Sequence, residues 1–229
     1  NILLGNSKLM SSNNIKFESE ETIGTIVYVA VNNEFKGYII ISDEIYAELT
    51  YDNKHVSIAS FDEIKEKTLV VNGFSKAYAM TGWRLGYICG NSVLISQMKK
   101  IHQYAIMCAP TTAQYAAIEA LKEHCDDDIA KMTREYNRRR RVLLNGFRKM
   151  GLECFEPKGA FYMFPSIKST GISSDEFCER LLKEEKVLVV PGNAFGECGE
   201  GYIRACYASS MENIYEALRR IERFVKEEL

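Results

Sequence analysis

The chain has 229 residues, of which 46% are hydrophobic, enough for one large domain or two small ones and too many for a disordered segment. Its 29 basic and 31 acidic residues nearly cancel, so no whole-chain field points to nucleic acid or to a membrane surface, and a small-molecule partner is expected. The seven cysteines (89, 108, 125, 154, 178, 198 and 206) are odd in number and lack C-x-x-C spacing, which argues against a disulfide framework or a zinc ribbon.

In chain order, "TIVYVAV" (25–31) and "GYIIIS" (37–42) are β-branched runs bounded by polar or glycine residues and predict two strands. The second is continuously apolar, the pattern of a strand buried on both faces of a parallel sheet. "TLVVN" (68–72) and "LGYICG" (85–90) predict two more buried strands. From about Asn91 to Met150 the spacing turns helical, with Pro110 near the first turn of one helix and a long polar-faced helix over 126–149. Beyond Gly151, short apolar runs alternate with helices over 174–185 and from Met211 onward, an α+β unit of its own. The thiols read as reduced, there is no signal sequence, and no apolar run reaches the roughly 18 residues that would span a bilayer, so a soluble cytoplasmic chain is expected.

Two strand ends carry the chemistry. In "YIIISDEIY", Asp43 arrives as the apolar strand ends and Tyr46 follows three residues later. Ligands of open α/β sheets sit beyond the carboxyl ends of strands, so an acid there is well placed, although an isolated strand-end aspartate more often caps a turn. In "NGFSKAYAMTGWRLGY" (72–87), the next buried strand delivers Ser75, Lys76 and then Arg84. An acid, a phenol, an amine and a guanidinium thus issue from two strand ends.

"ISDEIYAELTYD" followed by "NGFSKAYAMTGWRLGY", with "KGAFYMFP", "PGNAFG" and "GYIRACYASS" downstream, resembles the class I/II aminotransferases, fold-type I enzymes dependent on pyridoxal 5'-phosphate. The resemblance runs from about Ile41 to the C-terminus. It implies an α/β fold comprising part of the large domain (43–150), a mostly parallel sheet with helices, and the α+β C-terminal small domain (151–229). It implies amino-group transfer between an amino acid and a 2-oxo acid, with no nucleic acid or membrane partner, and it allows a homodimer. Lys76 is then the lysine that bonds to the cofactor aldehyde and shuttles the proton at the substrate Cα. Asp43 pairs with the pyridinium nitrogen, and Tyr46 hydrogen-bonds the ring's phenolic oxygen. Ser75 lies in the phosphate-binding stretch, and Arg84 grips the phosphate. Arg204 clamps the substrate α-carboxylate, a position that taken alone reads as a rim charge. Many relatives carry a hydroxyl three residues before the lysine; here that place is Gly73.

The first forty residues depart from that family. No proline precedes Pro110, so the Asn-Pro-Thr-Gly-like segment and its ring-contacting asparagine are missing, and an incomplete, poorly active site is expected. Residues 1–45 instead resemble the end of the nucleotide-binding domain of heavy-metal (copper-type) P-type ATPases, marked by Gly5-Asn6, Lys8-Leu9-Met10, "GTIVYVAV" and "GYIIISDEI". This resemblance suggests a chimera with 1–42 as the ATPase-like piece, and its alternatives are a nucleotide-binding fragment or an inert chimera. No Asp-Lys-Thr-Gly motif occurs, which excludes ATP-driven transport. "NRRRR" (137–141) reads as a solvated helix face. Tyr104, Tyr115 and Phe161 read as core, and His55, His102 and His124 have no metal-ligand spacing, so no metal is expected.

Overall fold

The computed structural model describes residues 1–20 and 24–228; the side chain of His124 lies outside the described part. The chain packs as two compact units, residues 1–48 with 54–126 and residues 49–53 with 127–229. The boundary expected at 150/151 lies one helix later than this division.

The first unit is built on a five-stranded sheet in the order β1-β2-β3-β4-β5. The strands are β1 (Ile2–Gly5), β2 (Thr25–Val31), β3 (Glu34–Asp43), β4 (Thr68–Gly73) and β5 (Gly86–Gly90). Its helices are α1 (Ser7–Ser12), α2 (Asp62–Lys65), α3 (Ser92–Ala105) and α4 (Thr111–Ala120). The strands stand where the apolar runs place them, but β5, expected to be buried, is exposed along its whole length, and the sheet is mixed rather than mostly parallel. Only β3 and β4 run parallel; β1–β2, β2–β3 and β4–β5 are antiparallel. Asn32 and Asn33 explain one of these reversals. Both have positive φ, 52° and 65°, the backbone of a two-residue type I′ hairpin, which asparagine tolerates and whose twist suits antiparallel strands. Between β3 and β4 the chain instead takes a long connection through α2, the length a parallel crossover requires. Ile40 is fully buried in β3 while Ile39 and Ile41 are half-buried, so this strand is less enclosed than its apolar run implies. Tyr104 and Tyr115 are 95% and 70% exposed and are not core: among the described residues, no side chain of α3 is buried.

The second unit holds α5 (Asp126–Lys149), β6 (Tyr162–Met163), α6 (Ser174–Arg180), β7 (Val190–Pro191), β8 (Ile203–Cys206) and α7 (Met211–Arg223). A three-stranded sheet in the order β6-β8-β7 lies against an apolar core that includes Phe147, Leu152, Phe177, Leu181, Ile203 and Phe224. The helix expected over 174–185 ends its α-helical part at Arg180, and a wider turn continues it to Glu185. Phe161 packs against the core as expected.

Arg140 corrects the reading of 137–141 as a solvated face. Its side chain is 1% exposed and lies 3.1 Å from Glu156 and 3.6 Å from Asp52. Nη1 donates to the Pro157 carbonyl at 2.6 Å and Nε to Asn137 Oδ1 at 3.0 Å. The guanidinium stands 4.9 Å above the Tyr51 ring, and the Tyr51 and Tyr207 hydroxyls both donate to the Ala160 carbonyl. Burial pushes the Tyr51 hydroxyl up to about 12, against the lowering influence of Tyr207 and Arg140. A buried arginine is tolerated because its fork is satisfied on several sides at once. It ties the segment 49–53, which joins this unit between two passages of the chain through the other, to α5 and to the strand entering β6.

Arg140→Ala should therefore destabilise the second unit by about 3 kcal/mol, because it empties a buried site and orphans the carbonyl of Pro157. Asp52→Asn and Glu156→Gln, at positions nearly half exposed, should cost less than about 1 kcal/mol each. Urea unfolding of the three variants checks this; an alanine variant as stable as the parent would show that Arg140 anchors nothing.

Candidate active site

The parallel pairing of β3 with β4 sets the geometry. Asp43, the last residue of β3, is in register with Val71 of β4, and the Glu44 amide continues the ladder onto the Val71 carbonyl at 2.8 Å. Both strands point the same way, so their carboxyl ends open on the same edge of the sheet, where an α/β sheet binds ligands. Asp43 is exposed there, and its Oδ1 accepts a hydrogen bond from the Ile45 amide at 3.1 Å. This is the turn-capping contact the residue type predicts. It leaves Oδ2, and further lone pairs, for a donor arriving from outside. Lys76 stands three residues beyond β4, half-buried, with Nζ 5.8 Å from the centroid of the Tyr46 ring. Asp43, Tyr46, Ser75 and Lys76 are thus delivered by two adjacent strand ends.

The loop from Phe74 to Leu85 supplies the remaining cation. Phe74, Ala77 and Met80 are buried beneath it, and the Phe74 ring packs 5.2 Å from Tyr78 and 5.9 Å from Tyr87. The Thr81 hydroxyl donates to the Ser75 carbonyl at 3.0 Å, and Arg84 Nη1 donates to the Thr81 carbonyl at 2.9 Å. Arg84 is exposed and sits at φ 54°, ψ 50°, a left-handed backbone that a non-glycine residue adopts only where its surroundings hold it. Gly73 also has a local reason. A Cβ there would lie 3.0 Å from the Leu85 carbonyl oxygen and 3.1 Å from the Gly86 Cα, so the close approach of β4 and β5 makes this a tight place for any side chain.

Next to Asp43 the structure buries a carboxylate. Glu44 is 6% exposed. Its Oε1 accepts from Ser57 Oγ at 2.9 Å, the Ile58 amide at 3.1 Å and Ser42 Oγ at 3.2 Å, and Oε2 lies 2.9 Å from His55 Nε2. Burial pushes this carboxyl up, but the hydrogen bonds from His55, Ser57 and Ile58 together outweigh it and hold it below its ordinary value. The group is therefore an anion at neutral pH, which makes Nε2–H of His55 the donor.

Arg204 belongs to the second unit, on β8 opposite Val190. Its guanidinium carbon is 4.5 Å from the centroid of the Tyr162 ring and 4.4 Å from that of Phe195. Phe195 is 6.0 Å from Phe164, which stacks on Tyr202 at 5.6 Å, and Lys168 Nζ lies 4.8 Å from the Tyr202 ring. Two aromatic rings against it restrain the guanidinium, whose N–H donors lie in its plane, the arrangement a carboxylate reads with two parallel hydrogen bonds. This arginine is half-buried against rings rather than a fully exposed charge.

The six side chains named from the sequence are Asp43, Tyr46, Ser75, Lys76, Arg84 and Arg204, and the residues packed around them carry no comparable signal. The rings of Tyr162 and Phe195 are carried by "GAFYMFP" and "PGNAFG"; three aromatics in the first were the available signal, and the single Phe195 in the second gave none. Glu44 and His55 gave less: His55 has no ligand spacing, and its partner lies 11 residues away. Among the described residues no group of three or more His, Cys, Asp or Glu side chains could hold a metal, all seven cysteines are free, and no helix is long and apolar enough to cross a membrane.

Residues 20–221 match the family described as aminotransferase class I and II. YugH of Bacillus subtilis is 52% identical over 207 residues, covering 90% of this chain and 53% of that protein. An aspartate aminotransferase of Pyrococcus abyssi is 49% identical over 191 residues, covering 82% and 49%. An aromatic-amino-acid aminotransferase of Thermococcus litoralis is 48% identical over the same length, with the same coverage. Among solved structures, an aromatic aminotransferase from Pyrococcus horikoshii superimposes with a TM-score of 0.81 at 48% identity, covering 83% of this chain and 51% of that one. An aspartate aminotransferase from Thermotoga maritima gives 0.76 at 39%, covering 82% and 48%. The chain spans about half the length of the curated relatives it matches. It belongs to the class I and II aminotransferase family, whose members depend on pyridoxal 5'-phosphate and whose fold-type I architecture accounts for its mixed sheet and helices.

Proposed function

We propose that this chain carries the cofactor-anchoring part of an aminotransferase site, for transfer of an amino group between an amino acid and a 2-oxo acid. The observation that supports this most is the convergence of Asp43, Tyr46 and Lys76 at the ends of two adjacent parallel strands, with the Lys76 amine 5.8 Å from the Tyr46 ring. The donor set suits pyridoxal phosphate: an amine for its aldehyde, a carboxylate for its ring nitrogen, a phenol for its ring oxygen and a guanidinium for its phosphate. Bound there, the cofactor supplies an electron-withdrawing ring that eases removal of the substrate Cα proton. Lys76 then holds that proton and returns it, as base and then acid. Asp43 keeps a proton on the ring nitrogen, Tyr46 donates to the ring oxygen, and Arg84, with Ser75 beside it, takes the phosphate. Arg204 receives the substrate α-carboxylate, and residues 43–150 and 151–229 correspond to the large-domain portion and the small domain.

Side-chain specificity is a separate matter, since relatives of nearly equal identity are named for aspartate and for aromatic amino acids. An α-carboxylate clamp reads what these substrates share. The resemblance of residues 1–45 to P-type ATPases offers the alternative of a nucleotide-binding fragment. Weighing against it, Gly5 has a packing role: a Cβ there would lie 2.6 Å from Leu9 Cδ2. The aminotransferase match also begins at residue 20, within the piece that the chimera assigns to the ATPase.

Addition of pyridoxal phosphate, borohydride reduction and peptide mapping should place the label on Lys76. Label spread over the exposed lysines would overturn the assignment. Arg84→Ala should raise the dissociation constant for pyridoxal phosphate by roughly 10- to 100-fold, the value of a charge-assisted contact of about 1.5–3 kcal/mol. Removing an exposed surface charge changes it by less than about fivefold, so unchanged affinity measured by fluorescence titration would release Arg84 from the phosphate.

A further inference from the structure

We infer that Glu44, held by His55, is a positioning residue that aims Asp43 and Tyr46 from behind. The inference rests on the cofactor reading above and goes beyond it, because neither Glu44 nor His55 faces the ring in that reading. The turn after β3 must present Asp43 and, three residues later, Tyr46, yet Asp43 itself is exposed and its carboxylate is tied to the turn by a hydrogen bond from the Ile45 amide. A carboxylate so lightly tied would wander. Glu44, between them in sequence, is fixed on both sides: its amide sits on Val71 and its carbonyl accepts from the Ala47 amide at 2.9 Å. Its side chain reaches down into the donors at 42, 55, 57 and 58. Asp43 and Glu44 are successive residues leaving a strand and point to opposite faces. Burying the second therefore forces the first outward. His55 and Ser57 are contributed by the stretch that returns from segment 49–53, so the same carboxylate also pins that return to the strand end.

The size of the effect follows from what is lost on substitution. A buried carboxylate gathers four hydrogen bonds, and replacing it by an amide turns one acceptor into a donor facing His55 or the Ser57, Ser42 and Ile58 cluster. The anchor loosens while the volume is kept. A misplacement of about 1 Å at a reacting group is enough to cost about a hundredfold in function, so a loosened turn is felt at Asp43 and Tyr46 before the fold is lost.

The test uses Glu44→Gln and His55→Leu in the full chain. The second removes only one of the four donors and keeps the question open to measurement if the first fails to fold. Amide hydrogen exchange, read by NMR without cofactor, should accelerate at least tenfold at Ile45 and Ala47 in Glu44→Gln, and less in His55→Leu, with the β1–β2 amides unchanged. With pyridoxal phosphate, the dissociation constant should rise about tenfold, and the pH midpoint of the bound cofactor's visible band should move as Asp43 loses its aim. Exchange and affinity both within twofold of the parent would overturn the inference. Faster exchange with unchanged affinity and midpoint would reduce Glu44 to a structural role and overturn it too. If the parent chain binds no pyridoxal phosphate, the cofactor reading fails, and exchange at Ile45, whose amide binds Asp43, still decides whether Glu44 aims that residue.

Discussion

The parallel ladder between β3 and β4 is the constraint on which the rest of the first unit depends. With Asp43 opposite Val71, every residue that follows either strand emerges on one edge of the sheet. A one-residue slip would turn Asp43 into the sheet and Glu44 out of it. The register is guarded at that point by the Glu44 amide on Val71 and by the buried carboxylate beneath it. The parallel pair is the only one of its kind among the described strands, and Asp43, Tyr46, Ser75 and Lys76 all follow its two strands. Antiparallel neighbours on both sides supply sheet without supplying a second set of parallel carboxyl ends.

The second unit solves a related problem by packing charge against rings. Arg140 is buried over Tyr51 and tied to carbonyl and carboxylate oxygens, whereas Arg204 packs against the rings of Tyr162 and Phe195. The difference is one of saturation. Arg140 spends its fork on the protein and becomes a structural tie, while Arg204 is restrained by rings against its guanidinium, and in the proposed function its in-plane donors receive a carboxylate. Restraint of this kind lowers the entropy lost when a carboxylate binds, since an arginine side chain otherwise gives up about 2 kcal/mol of rotamer freedom.

Much of this was legible in the residues. β-branched runs located β2, β3, β4 and β5, and the spacing over 126–149 gave α5 with its observed bounds. Strand direction was not legible from hydrophobic pattern, because the apolar run at Ile39–Ile41 fits a parallel and a mixed sheet alike. The Asn32-Asn33 pair, with both φ values positive, was the sign of a hairpin. Arg140 escaped for a different reason. Four arginines in a row look solvated as a group, but a helix turns each by about 100° from the last, so one of them can face inward while its neighbours stay in water. Its partners Asp52, Glu156 and Pro157 come from distant stretches of chain, a tertiary fact that no local pattern carries. Tyr104 and Tyr115 erred in the other direction, since periodicity marks an apolar face without saying that anything covers it.

The residues that touch the ligand in this reading were found by motif, and those that hold them were not. A motif records side chains whose chemistry is irreplaceable: an amine that can bond an aldehyde, a guanidinium that can fork a phosphate. Supports are defined by geometry instead. A carboxylate can be held by serine, histidine or a backbone amide in any combination that fills its lone pairs, as Glu44 shows by using all three. The plane of a guanidinium can be fixed by any two aromatic faces at about van der Waals distance. Gly73 illustrates the same logic in reverse. In the sequence it is only a position without a hydroxyl, while in the structure a Cβ there would press on the backbone leading into β5.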